Sequence, residues 1–442
     1  MNFVSCLFPH SRKFWSFFSD RYLNPSFICF TAITIISMGI ITLGIAIWTS
    51  AGGRNIYGSW AGGDYSCFYI AGKILNEHPP GKLYDFNLQS ELLHSLLPEI
   101  SLTEEMPYIN PPFFALIFKP LSRLPFMVSY LVWIIVSVIL YIFSFKLFWK
   151  TLDSMPPKTF KIALLLALSF EPFLMEAVLG GNSSAVGFVA YALFLYFEHL
   201  KKDLMSGLSL GILLYKPTFL IVILPMLLIA RRTKILLGFS ICSVIIIFLS
   251  VLTVGYETCI EYVLLLFGVS NMTLGSEEIF RTWKYVDIFS FSRLLFGTIS
   301  PAVLVLIVIA SLVPIIYSIK LWWKLNSLNK TCQELLIASA ITLTLIINLH
   351  FAIYDTVILV LSILLTVNAL YRNCIVQNST ELTLRFKALL VSIYIFPWIS
   401  QYIARVTGIQ MFTLAVAIMG SYQIFLVSTY SKTPPLRGRM DR

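Results

Sequence analysis

Charge is what this sequence has least of. Only 12% of its 442 residues are Asp, Glu, Lys or Arg, about half of the roughly 25% found in an ordinary soluble domain. Hydrophobic residues make up 58% and the mean hydropathy is +0.83, which excludes a soluble globular chain. The seven cysteines show no CxxC or other metal-ligand spacing, so neither a zinc module nor a disulfide framework is expected. Only Cys67 and Cys259 fall near one shared face, which allows at most one disulfide there, and free thiols are the expectation. No Gly-rich phosphate loop is present to hold a nucleotide. No DxD, HExxH or HxH cluster points to a metal; since one carboxylate with a substrate phosphate suffices for Mg²⁺, the reading stays open to a divalent ion. There is no internal repeat, low-complexity block or soluble domain.

What is present is a succession of apolar runs of about 20 residues, long enough to cross the hydrocarbon core as helices. The N-terminal stretch lacks the short apolar core and small-residue cleavage site of a signal peptide, so the first run is expected to stay as a helix. Spans are predicted at 26–48, 125–148, 160–179, 184–199, 235–254, 299–319, 333–350, 354–371, 387–404 and 410–430. The stretch 204–230 is broken by Tyr215-Lys216-Pro217 and reads as a kinked helical hairpin. The expected fold is therefore an all-α polytopic membrane protein, a single integral domain over 1–442. It has about ten full spans, or 10–12 with the hairpin. Two long loops, 49–124 and 255–298, carry amphipathic helices; Leu88, Leu92, Leu93, Leu96 and Leu97 have helical spacing.

A net charge of +10 could suggest nucleic acid. The distribution argues otherwise. Alternating the spans from side to side gathers 22 of the 32 basic residues on one set of short loops with seven acids. The positive-inside rule puts that set, and both termini, in the cytoplasm. The two long loops then lie outside a plasma (inner) membrane, and no nucleic-acid partner is expected.

Several polar residues collect at the outer ends of spans. Asp64 follows the first span within "GGDYSCFYIAGK". Asn182 and Ser183 lie in the turn of "EAVLGGNSSAVGF". Lys216 is at the hairpin break, and His350, Tyr354 and Asp355 lie in "NLHFAIYDTVIL". Ionisable groups beside a membrane are costly unless paired or turned to a wet cavity, so four segments converging at one depth read as a site. Each has a plainer account. Asp64 could cap the helix after it, and Lys216 could snorkel. His350 alone could be a satisfied helix-end histidine, while Asp355 about one turn on opens a His–carboxylate pair as the alternative. Asn182 and Ser183 could satisfy the turn and cap the next span. Phe113, Phe114 and Phe118 are core or lipid-facing by default. A carboxylate here can take a proton from an attacking hydroxyl, and a lysine and histidine nearby suit a departing phosphate.

In these residues the chain resembles the polytopic glycosyltransferases of the GT-C superfamily, in particular glycosyltransferase family 87. The matching segments run in order: "GGDYSCFYIAGKILNEHPPGKLYD", "YINPPFFALIFKPLSRLP", "LGGNSSAVGFVAYALF", "SGLSLGILLYKPTFLIVILPMLLIARR" and "NLHFAIYDTVILVLSILL". The resemblance implies a GT-C-type fold and an inverting transfer of a hexosyl, foremost a mannosyl, residue. The donor it implies is a polyprenyl-phosphate sugar and the acceptor an envelope glycan or glycolipid on the outer face. It implies a base role for Asp64 and donor-phosphate or pocket roles for Lys216, His350, Asp355, Tyr354, Asn182 and Ser183. Two departures stand out. Ile109-Asn110 replaces the first proline of the family's Tyr-Pro-Pro, and the second long loop, with Arg281, Trp283 and Lys284, matches none of its pattern. The rival classes are a transporter or flippase for a lipid-linked or polar solute, which would favour inverted repeats and polar groups at the midplane, and a ligase acting on diphosphate-linked glycans.

Overall fold

The computed structural model describes residues 24–50, 56, 60–98, 100, 106–273, 282–376 and 383–431. The terminal basic clusters (Arg12 to Arg21 and Lys432 to Arg442), Arg281 and Cys6 lie outside them. Among the described residues the structure is all helical, apart from a single bridge between Tyr285 and Ala352.

Helix α1 (Pro25–Thr49) starts at an Asn24 cap with Pro25 in the first turn, where its missing N–H costs nothing. Asp64 precedes α2 (Tyr65–Glu77), and α3 (Phe86–Leu96) begins at a true Asp85 cap. Next come α4 (Pro112–Leu121), α5 (Phe126–Trp149) and α6 (Phe160–Leu168). The expected span 160–179 does not run through. It breaks by 53° before a π-helix, Pro172–Leu179. Two local causes coincide: the Ser169 hydroxyl donates back to the Leu165 carbonyl at 2.7 Å, and Pro172 has no N–H to continue the ladder.

The chain then forms α7 (Ser184–His199), α8 (Asp203–Gly211) and two short 3₁₀ turns, Ile212–Tyr215 and Pro217–Leu220, that meet at Lys216. This is the expected break of the hairpin. Helix α9 (Ile223–Ile229) leads to α10 (Thr233–Thr273), which passes beyond the expected end of its span and kinks at Gly255. After it come α11 (Ile288–Phe296), α12 (Pro301–Trp322), α13 (Lys330–Ile346), α14 (Leu359–Val376), α15 (Leu384–Thr407) and α16 (Met411–Tyr430).

Among the described residues seven helices are long and apolar enough to cross a membrane, or eight if the bent pair is one span, and the protein is a polytopic membrane protein. Their burial sorts them. The best windows of α1 and α12 are 11% buried, while the segment Ile353–Asn373 is 83% buried and α13 is buried along nearly all its length. A helix apolar all round and covered all round is a bundle centre. There the Thr342 and Ser362 hydroxyls bond at 2.7 Å, and Gln423 donates to Ser362 and Thr366 at 2.8 and 2.9 Å. These bonds tie α13, α14 and α16 where hydrophobicity alone gives no preference.

The two ends of the bundle are chemically unlike. At one end Arg372 grips Glu334 through both nitrogens at 2.9 and 3.0 Å and reaches Asp153, which Lys330 also holds. Burial opposes the ionised Asp153, but these two cations outweigh it and hold its carboxyl well below the usual range. A cavity of about 390 Å³ opens at this end, lined by Thr151, His199, Lys201 and Lys330. The other end carries Asp64 and both long loops, whose Tyr84 and Tyr262 rings stack at 6.0 Å.

Candidate functional site

Asp64 stands in the cap position of α2, yet its backbone is already helical and its side chain makes no capping bond. Its Oδ2 instead accepts from Asn182 Nδ2 at 3.0 Å, across 118 residues. Local backbone geometry explains how the two meet. Gly62 has φ +70 and lies against the Tyr130 ring, where a Cβ would come within 2.9 Å. Gly181 has φ +76, and a Cβ there would come within 2.7 Å of Tyr65 Cβ. Both positions need glycine for handedness and for space. The Gly180–Gly181 turn is pinned by the Tyr130 hydroxyl, which donates to the Leu179 carbonyl, and by Trp133 Nε1, which donates to the Gly181 carbonyl at 3.0 Å. Asn182 also receives the Ser183 N–H on its Oδ1 at 3.1 Å, so its amide is oriented before it reaches Asp64.

Lys216 does not snorkel. Its ammonium pairs with Asp355 Oδ2, lies 3.5 Å from the Tyr354 hydroxyl and sits 4.6 Å from the centre of that ring. Asp355 is fully buried, while the Lys216 side chain keeps 23% of its exposure. The break that presents Lys216 frees carbonyls on both sides, and two asparagines accept the task of satisfying them. Asn110 donates to the Tyr215 carbonyl at 3.2 Å, and Asn348 donates to the Thr218 carbonyl at 3.0 Å. The residue that departs from the Tyr-Pro-Pro pattern thus ties the first long loop to the Lys216 break. The Tyr215 hydroxyl in turn donates to the Ser183 carbonyl at 3.3 Å, which links the Lys216 turn to the Asn182 turn. Tyr354 lies within electrostatic reach of both Asp355 and Asp64. The four segments thus meet at one place in the fold.

His350 is adjacent but differently engaged. The carboxylate a turn later goes to Lys216, and His350, with φ +57, is set edge-on to Tyr285 at 5.4 Å and Phe289 at 5.7 Å. Burial, helped by the positive charge of Arg293, pushes its pKa down to about 4, so the ring is neutral at ordinary pH. The second long loop is fastened over it by Asp287, which the sequence reading passed over. Asp287 accepts from Ser290 N at 2.8 Å, from the Ser290 hydroxyl at 2.9 Å and from Phe351 N at 2.7 Å. Burial raises its pKa to about 6 against those three bonds. Its sequence signal was an acid directly before the amphipathic run "IFSFSRLLF", a helix-start signature.

Chemically, the site sets a half-buried carboxylate, oriented through one oxygen, across from an ammonium and a phenol. The first can accept a proton and the second pair can hold an anion. Because Asp355 already neutralises Lys216, an arriving anion shares the ammonium with Asp355 and does not find it bare. Among the described residues no three His, Cys, Asp or Glu side chains converge as a metal set.

No curated protein and no solved structure matches the chain. The family model described as glycosyltransferase family 87 matches residues 108–347, more than half of the chain. The match takes in Asn110, the Asn182–Ser183 turn that meets Asp64 and the Lys216 break, while Asp64 itself and Asn348, His350, Tyr354 and Asp355 lie outside it. By that match, the chain belongs to glycosyltransferase family 87.

Proposed function

We propose that this membrane glycosyltransferase moves a hexosyl residue from a polyprenyl-phosphate donor to a hydroxyl of a glycan or glycolipid at the extracytoplasmic face of the plasma membrane. Asp64 takes the proton of the acceptor hydroxyl. The oxygen bonds to the anomeric carbon as the carbon–oxygen bond to phosphate breaks, and the electron pair leaves with the polyprenyl phosphate. Base and leaving group act from opposite faces, so the configuration inverts. Lys216 and the Tyr354 hydroxyl meet the growing charge on the phosphate, and neutral His350 can donate one hydrogen bond to it. Mannose is the first donor to test, as the family resemblance implies.

The observation that carries the reading is the Asp64–Asn182 pair. A carboxylate that declines to cap its own helix and is oriented from 118 residues away is arranged for another partner. The outside location is supported by the concentration of basic residues at the opposite end. The test uses purified protein in vesicles, a panel of radiolabelled polyprenyl-phosphate sugars and a mixed envelope-glycan extract. Label entering a new product and falling by about 10²–10⁴-fold in Asp64→Asn, with the fold intact, is the expected result. Full transfer by Asp64→Asn removes Asp64 from the base role. Donor crossing the bilayer with no new product would favour the transporter.

A further inference from the structure

A second polar group adjoins Asp64 and is not used by the chemistry above. It lies where the π-helix, α15 and the Thr282–Lys284 turn meet. Glu176 Oε1 accepts from Gln401 Nε2 at 3.1 Å, and Lys284 Nζ lies 4.0 Å from Glu176 Oε2. Glu171 is within electrostatic reach of both Glu176 and Lys284, is only 5% exposed, and its Oε2 has no hydrogen-bond partner.

The π-helix is what brings the two glutamates together. At 3.6 residues per turn, positions five apart point about 140° away from each other. The wider winding, with i→i+5 bonds such as Gly180 N to the Met175 carbonyl at 3.0 Å, brings them towards one face. Such helices are rare and cluster at functional sites. A buried carboxylate oxygen left unpaired is costly, and native structures keep few of them. A donor is therefore missing from this place. An anion would meet two carboxylates, and a cation would sit beside Lys284. A sugar ring fits both sides, because each hydroxyl can donate to Glu171 or Glu176 and accept from Gln401 or Lys284.

The position selects which sugar. Asp64 Oδ2 and the Glu176 carbonyl both crowd Gly180, at 3.3 and 2.5 Å from where its Cβ would be. Glu176 is thus one turn along the backbone from Gly180, the glycine that Asp64 Oδ2 lies against. The acceptor must approach on the base's side, away from the phosphate held at Lys216. We infer that Glu171, Glu176, Gln401 and Lys284 form the subsite for the acceptor sugar's hydroxyls. This rests on the transferase reading given above.

The test compares the full-length chain with Glu171→Gln and Glu176→Gln in vesicles. The probes are the radiolabelled polyprenyl-phosphate sugar from the panel above that the unaltered chain transfers and the envelope-glycan extract, each titrated at saturating amounts of the other, with thermal unfolding measured alongside. Both variants are expected to raise the half-saturating amount of extract by about tenfold or more and to leave donor half-saturation unchanged. Glu171→Gln should hold or raise the unfolding temperature, since it removes a buried unpaired carboxylate. A rise in donor half-saturation instead would assign the cluster to the donor sugar and overturn the inference. So would unchanged titrations, or a loss of stability with no shift in either titration, because a structural prop behaves that way. If the unaltered chain labels no product from any donor, the transferase reading itself falls, which is a different result from any variant effect.

Discussion

Removing the Lys216 charge tests the site at its most heavily committed point. Lys216→Met leaves Asp355, which is fully buried, without its counter-ion and takes the cation from the Tyr354 face. Breaking a buried ion pair from one side costs about 3–5 kcal/mol, whereas replacing both partners with apolar residues is often neutral or stabilising. Asp355→Asn should cost less, about 1–3 kcal/mol, because the ammonium it abandons is 23% exposed and can turn to water. The double variant Lys216→Met/Asp355→Leu should then be more stable than Lys216→Met alone, although it carries one more substitution. Unfolding free energies from SDS titration in mixed micelles give the three values, and sugar transfer is measured on the same samples. Both variants lacking Lys216 should lose transfer, including the one that regains stability. A double variant less stable than Lys216→Met alone would refute the pairing, and transfer recovered along with stability would refute a role for Lys216 in holding the donor.

Three further outcomes follow from the same geometry. Gly181→Ala places a Cβ at φ +76 within 2.7 Å of Tyr65 Cβ; it should cost about 1–3 kcal/mol and lower transfer by displacing Asn182, read by unfolding and by label transfer. Asn348→Leu leaves the Thr218 and Thr344 carbonyls without their donor and should destabilise by about 1–3 kcal/mol, again in SDS titration. The pH response should include two opposed contributions from the second long loop and the residue it covers. His350, pushed down to about 4, adds stability that is present above its ordinary 6.5 and is lost as pH falls. Asp287, raised to about 6, adds stability that is present below its ordinary 3.8 and is lost as pH rises through 6. The two offset each other between pH 4 and 6, so His350→Asn should become more stable on acidification across that window, and a flat profile in that variant would count against the burial of Asp287.

The parts of the site that could be read in the sequence are those where a residue contradicts its surroundings. An acid after two glycines at a span exit marked Asp64, and a Lys-Pro break in an apolar hairpin marked Lys216. In both cases the plain account failed for a physical reason: the Asp64 side chain makes no capping bond to its own helix, and Lys216 is bound by a counter-ion. Which counter-ion was not legible. Asp355 lies five residues from His350, so a His–carboxylate pair was the local option, while its partner is 139 positions away. A buried charge announces that it must have a partner, but only packing decides which one. The π-helix was hidden for a related reason. A pattern search at a period of 3.6 reads 160–179 as one unbroken span and scatters Glu171 and Glu176 around it. Asn110 and Asn348 look like ordinary loop residues until the carbonyls they satisfy are known, and those carbonyls exist only because Pro217 breaks the helix between them. Sequence therefore locates where the membrane rule is violated, and the fold supplies the compensation that makes each violation tolerable. In this chain the Glu171 oxygen is a violation the fold leaves uncompensated, which is why it is the place to look for substrate.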